Sequence, residues 1–137
     1  MTFFIKRVVS LVVLCFFILG ITSCGTEGEA KAFIRDFFEA VEAGEYEEAA
    51  TFLHPDLPAD LEKYFGTIED NEGVDFSDGI NIEKFVSFSE KEYDAEVNGS
   101  SYKMLVRTRV SGIGIRFDIT IVKNANGYGI YKFRIDG

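Results

Sequence analysis

A disulfide-stapled scaffold is excluded by scarcity. The 137 residues hold two cysteines, and Cys15 lies inside the one long apolar run, so the rest of the chain has neither a disulfide pair nor a thiolate set for a metal. Histidine occurs once, as His54. Positive charge is short as well: Lys6 and Arg7 precede Cys24 with no acid beside them, leaving 12 basic against 23 acidic residues after it, net −11. Nucleic acid is therefore not an expected partner, because phosphate binding needs a net basic surface or a dominant basic face. The length allows one domain and hardly two. A domain of roughly 110 residues can bury a single core without staples.

What the chain does have begins with its N-terminus. Residues 1–7 read as a charged n-region, residues 8–21 as an apolar h-region, and Thr22 and Ser23 as small residues at a processing site. A spanning helix needs about 20 apolar residues, and this run is shorter. Ile21-Thr22-Ser23-Cys24 resembles the bacterial lipobox, in which an aliphatic and two small residues precede an invariant cysteine that is diacylated before cleavage. Ile21 and Thr22 stand where leucine and alanine or serine are commoner. The resemblance implies a palmitate-type lipid on Cys24 and a place on the extracytoplasmic face of a bacterial cell membrane. An uncleaved anchor and a plain secretory peptide are the alternatives. Two acyl chains hold a protein stably where one holds it marginally. Gly25 follows the cysteine, so no aspartate retention signal is visible. The expected division is a signal peptide over 1–23, a lipidated cysteine and short tether over 24–28, and one α+β domain over 29–137.

The first half of that domain has helical period. Thr26-Glu27-Gly28-Glu29 has the spacing of a capping box. Phe33, Ile34, Phe37, Phe38 and Val41 then form one stripe, with Glu29, Asp36, Glu39 and Glu42 expected toward water and Gly44 as the C-cap. A second helix is expected over 45–53 with Tyr46, Ala49, Ala50 and Leu53 inward, ending before Pro55. A third is expected from Pro58 to Gly66, burying Leu61, Tyr64 and Phe65. Residues 69–79 read as a solvated acidic loop. Its Asp70, Glu72, Asp75 and Asp78 lack the glycine position of a calcium hairpin, so no metal or other cofactor is expected.

From Ile80 onward the period becomes two. Tyr102, Met104, Val106, Thr108 and Val110, then Ile113, Ile115, Phe117, Ile119 and Ile121, then Tyr131, Phe133 and Ile135 alternate with polar residues, and glycine-bearing turns separate the runs. An antiparallel four-stranded meander is expected, with a bulge near Ser89 or Glu90 in its first strand. Registers read from the turns set Arg107 opposite Arg116. Matching Phe117 with Phe133 sets Arg116 opposite Arg134 and Asp118 opposite Lys132. Centring a turn on Asn98-Gly99 sets Asp94 opposite Lys103 and Glu90 opposite Arg107. Arg107, Arg116 and Arg134 would then form one row. Like charges in register disfavour pairing, so this row is either neutralised or used, as an anion-binding face for headgroups, wall polymers or an acidic partner, or against a second copy in a homodimer.

The order of these elements, with residues 32–57 reading AFIRDFFEAVEAGEYEEAATFLHPDL, resembles the nuclear transport factor 2-like superfamily, including its short envelope lipoproteins. The resemblance implies a cone in which N-terminal helices pack on a curved four-stranded sheet. That superfamily hosts enzymes and pure binding modules, so the fold does not fix the function. Its enzymatic side, resembling ketosteroid isomerase and polyketide cyclases, would use His54 as a base in a pocket with Tyr46, Tyr64 or Tyr131 as donors. With no converging catalytic set in the sequence, the expected role is a non-catalytic binding or interaction module at the cell envelope, anchored through Cys24, with an envelope protein or an anionic surface as partner. The capping box starts two residues beyond Cys24, so the tether is short, and the basic sheet face is the side expected to turn toward lipid.

Overall fold

The structure, a computed structural model, describes residues 25–57, 59–95, 98–125 and 127–136, with Thr26 and Asp94 described in backbone alone. The signal segment, Cys24, Pro58 and Val97 lie outside the described residues.

Helix α1 spans Gly25–Glu42, starting four residues ahead of the expected domain boundary. Its stripe of Ala30, Ile34, Phe37, Phe38 and Val41 is buried. The helix stops where a left-handed residue is tolerated: Gly44 has φ +73°, its amide donates to Val41 O (3.0 Å), and the Glu45 amide donates to Ala40 O (2.9 Å), a Schellman ending. Two of its carboxylates are not turned to water as expected. Glu29 Oε2 accepts from Tyr128 Oη (2.9 Å), and Glu42 Oε2 accepts from the Ile80 amide (3.1 Å).

Helix α2 is only Tyr46–Ala50. Ala49 is buried, but Ala50 is exposed, contrary to its expected inward place. The helix gives way early because the chain meets the sheet edge: Leu53 makes an isolated parallel bridge with Ile130. Helix α3 runs Leu61–Glu72, neither starting at Pro58 nor ending at Gly66. Asp60 caps it by accepting from the Lys63 amide (3.2 Å), and Gly73 at φ +68° closes it. The apolar stripe explains the extension. Ile68 continues the buried line of Leu61 and Phe65, and that burial, roughly 1.5–3 kcal/mol for a large side chain, exceeds the ~1 kcal/mol cost of Gly66 inside a helix. What remains of the acidic loop is a 3-10 turn, Phe76–Asp78. It is tied to the sheet, with Ser111 Oγ donating to Asp78 Oδ2 (2.8 Å) and accepting from the Asp75 amide (3.0 Å).

Strands β1 (Asn81–Asp94), β2 (Gly99–Val110), β3 (Ile113–Asn124) and β4 (Gly127–Ile135) form an antiparallel meander in the order β1-β2-β3-β4. The β2–β3 register is as read from the sequence, with Val110 opposite Ile113 and Arg107 opposite Arg116. Ser111 and Gly112, both at positive φ (51° and 78°), form the tight turn that fixes it.

The other two registers differ from expectation. In β3–β4, Phe117 faces Ile135, Asp118 faces Arg134 and Thr120 faces Lys132, because β4 carries one extra residue at Tyr131. In β1–β2, Asp94 faces Gly99, Ser89 faces Lys103 and Lys84 faces Arg107. Here Asn98 ends a longer connection instead of centring a two-residue turn. Irregularities fall between Ile82 and Lys84, Phe85 and Ser87, and Lys91 and Asp94, not at Ser89 or Glu90.

The helices cover one face of this open sheet. Phe38 meets Phe117 (5.3 Å between ring centroids), Phe37 meets Phe133 (5.5 Å), and Phe65 meets both Phe76 (5.0 Å) and Phe133 (5.6 Å). Aromatic rings thus fill the centre of the space between the layers, and an open groove of about 260 Å³ remains at its margin between Arg35 and Phe38 of α1 and Ile80 and Ile82. Among the described residues, no helix is long and apolar enough to cross a membrane.

Candidate functional site

The sheet face turned away from the helices gathers the cations. Pairing across the strands sorts its side chains into rows. One row is Lys84, Arg107 and Arg116 on β1, β2 and β3. The next is Ser87, Leu105, Asp118 and Arg134, and the third is Ser89, Lys103, Thr120 and Lys132. The expected row of three arginines is therefore corrected. Arg107 and Arg116 are adjacent, Lys84 takes the third place, and Arg134 sits one row away, bound through Nε (3.2 Å) and Nη2 (3.0 Å) to Asp118 Oδ2. Arg116 has a longer contact with Asp136 (3.6 Å), and Arg109 one with Glu83 (3.6 Å). Lys84, Lys103, Arg107 and Lys132 have no ion pair with a described residue.

Charge is divided along the chain in the same sense. Residues 25–79 hold 16 acidic and 3 basic side chains, whereas residues 80–137 hold 7 acidic and 9 basic. Most of the acids lie in the helical half, and with Lys84, Lys103, Arg107, Arg116 and Lys132 on it the outer sheet face is a basic surface on an acidic protein.

The expected pocket residues divide into two places. His54 and Tyr131 meet edge to face, with ring centroids 5.4 Å apart and planes at 83°. Tyr46 and Tyr64 lie instead against Phe65 (6.3 and 5.5 Å). Burial, then the charges of Glu69 and Glu62, raises the Tyr46 pKa, and burial raises that of Tyr64. His54 is held at the sheet edge. Its amide donates to Ile130 O (2.9 Å), and Ile130 N donates to Phe52 O (2.8 Å). Its Nδ1 accepts from the Asp56 amide (3.1 Å). That bond leaves Nδ1 without a proton and Nε2 as the second nitrogen. A cavity of about 430 Å³ beside it is lined by Leu53, His54, Pro55, Tyr128 and Gly129. Among the described residues no carboxylate lines that cavity, and the nearest to the ring, Asp56 Oδ2, lies 3.8 Å from Nδ1.

A second cavity, about 420 Å³, opens on the basic face beside Leu57 and is lined by Lys103, Asp118, Thr120, Lys132 and Arg134. Lys103 and Lys132 were not singled out from the sequence. Both were legible as outward-facing by alternation, Lys103 with Arg107 and Lys132 with Arg134, but the row that joins them to Thr120 needed the extra residue at Tyr131. The Tyr128–Glu29 bond, with the phenol pKa raised by burial and by the carboxylate it donates to, also had no local signal.

Comparison with protein-family models, with curated proteins and with solved structures finds no match to this chain.

Proposed function

We propose that this chain is a lipid-anchored extracytoplasmic protein of the bacterial envelope, with a nuclear transport factor 2-like domain that binds a partner and carries out no chemistry. The observation that carries the binding reading is the filled interior. In a cone-shaped enzyme the substrate would sit between helices and sheet, and here Phe37, Phe38, Phe65, Phe117 and Phe133 occupy that space. The surface left for recognition is the outer sheet face. The enzymatic alternative draws on His54 and its edge cavity, but a general base needs an acid or oxyanion donor converging on the same point. The tyrosine ring beside it, Tyr131, makes an edge contact, and Tyr46 and Tyr64 are elsewhere.

The anchor rests on Ile21-Thr22-Ser23-Cys24 and the apolar run before it. Expression of the full chain in a bacterium supplied with an alkyne fatty acid tests it. Labelling of the natural chain, and its loss in Cys24→Ser together with retention of the uncleaved precursor, is the expected result. Label that persists in Cys24→Ser refutes the anchor.

A further inference from the structure

The cavity on the basic face has the features of a built anion site. Lys103, Thr120 and Lys132 stand in register on three consecutive strands, and all three line the cavity. Strands β2 and β4 are two spacings apart, about 9.6 Å, so two lysine stems rise on either side of the central threonine. Neither ammonium has an ion pair with a described residue. The adjacent Arg134 is neutralised by Asp118 (3.0 Å), leaving the cavity with two uncompensated positive charges.

Thr120 is the unusual member. It is 7% exposed, yet it faces outward, on the side of the sheet where most side chains are solvated. Its hydroxyl has no hydrogen-bond partner among the described residues. No buried side-chain oxygen or nitrogen there is both sealed from solvent and unpartnered, so this hydroxyl opens into the cavity it lines. A hydroxyl so placed is bonded by solvent when the site is empty and is free to turn to a ligand oxygen. Two cations flanking one unpartnered donor is an arrangement that an oxyanion completes: each ammonium supplies a charge-assisted hydrogen bond and the threonine a neutral one.

We propose that Lys103, Thr120 and Lys132 bind a doubly charged tetrahedral oxyanion, phosphate in the first instance, either free or as the phosphomonoester of a lipid headgroup. The proposal rests on the reading of this domain as a binding module but not on the anchor at Cys24. A neutral or cationic ligand does not fit two unpaired ammonium groups. Singly charged carboxylates leave one of them unmatched.

The test is a titration of the full chain in non-ionic detergent, followed by amide resonances. Inorganic phosphate is added in one arm, phosphatidic acid, a phosphomonoester lipid, in detergent micelles in a second, and sodium chloride of matched ionic strength in a third. Saturable shifts at Thr120, Lys103 and Lys132 with phosphate but not chloride identify the free anion. The same shifts with the lipid alone identify the headgroup. Lys103→Gln with Lys132→Gln should weaken the interaction more than tenfold, Thr120→Val should weaken it severalfold, and Lys63→Gln on helix α3 should leave it unchanged. Shifts that chloride reproduces, or no shift at Thr120 in either arm up to about 10 mM, a range that detects even weak millimolar binding, overturn the site. Fatty-acid labelling is untouched by these variants, so failure here and failure of the anchor are read separately.

Discussion

Gly129→Ala isolates the contact that fastens the histidine segment to the sheet edge. A β-carbon at position 129 would lie 3.0 Å from His54 Cα and 3.2 Å from both His54 N and His54 Cβ. These are mostly backbone atoms, which cannot swing aside as a long side chain would. Relief requires residues 52–54 to lift, and lifting strains two bonds, His54 N to Ile130 O (2.9 Å) and Ile130 N to Phe52 O (2.8 Å). At about 1 kcal/mol net for each hydrogen bond, offset by the roughly 0.5–1 kcal/mol that alanine gains over glycine in a strand, the loss should be about 1–1.5 kcal/mol. For a domain of this size that lowers Tm by roughly 4–6 °C. Gly114→Ala is the matched control. It lies in β3 with nothing within 4 Å of its added carbon, so it should be neutral or slightly stabilising. Thermal unfolding of both variants measures the difference, and hydrogen exchange at the Ile130 and His54 amides locates it. If Gly129→Ala is as stable as Gly114→Ala, or if those two amides keep their protection, the fastening described here is wrong.

Two further perturbations address the charges. Arg107→Glu places a carboxylate between Lys84 and Arg116, turning two like-charge pairs into opposite ones, and should stabilise the fold by about 1 kcal/mol in low salt. The gain should shrink in 1 M salt, as chemical denaturation with urea will show, and no gain at low salt would mean that the two cations do not face Arg107. Tyr128→Phe removes the donor to Glu29, which Lys123 also contacts (3.8 Å), and should cost about 1 kcal/mol at neutral pH. Because folding raises the Tyr128 pKa, the stability it supplies is complete below about pH 10, the ordinary tyrosine value, and is lost as pH rises toward the folded-state value. The gap between the natural chain and Tyr128→Phe should therefore narrow above pH 10, and a gap that widens there rejects the assignment.

Local chemistry decided which elements could be read from the residues. Ser111-Gly112 fixes its register because only a two-residue turn with both φ values positive joins strands that closely, so Arg107 opposite Arg116 was legible. Residues 124–127 set a register that would turn Phe133 outward. The sheet avoids this by adding a residue at Tyr131, whereas pairing Phe117 with Phe133 removes one, and both restore parity. Inward-outward alternation is blind to a shift of two residues. Helix α3 shows the same limit, since Gly66 is a stop signal only until Ile68 gives the helix a reason to continue. The basic character of the outer face was legible in Arg107 and Arg116. Its cavity was not, because it depends on a β4 register and on Leu57 from a distant loop.

The direction of helix α1 has a bearing on how the molecule would stand. Its first turns meet the β3–β4 turn, through Glu29 to Tyr128 and Lys123, and its last turn meets the start of β1, through Glu42 to Ile80. The helix therefore runs along the strands, with Gly25 as its first residue. A tether at residue 24 would hold the domain by the end where β3 turns into β4, so the strands would rise from the bilayer and the basic face would look sideways across it. Under the proposed anchor such a face would not press on the lipid below, as the sequence alone suggests, but would meet what lies beside the domain.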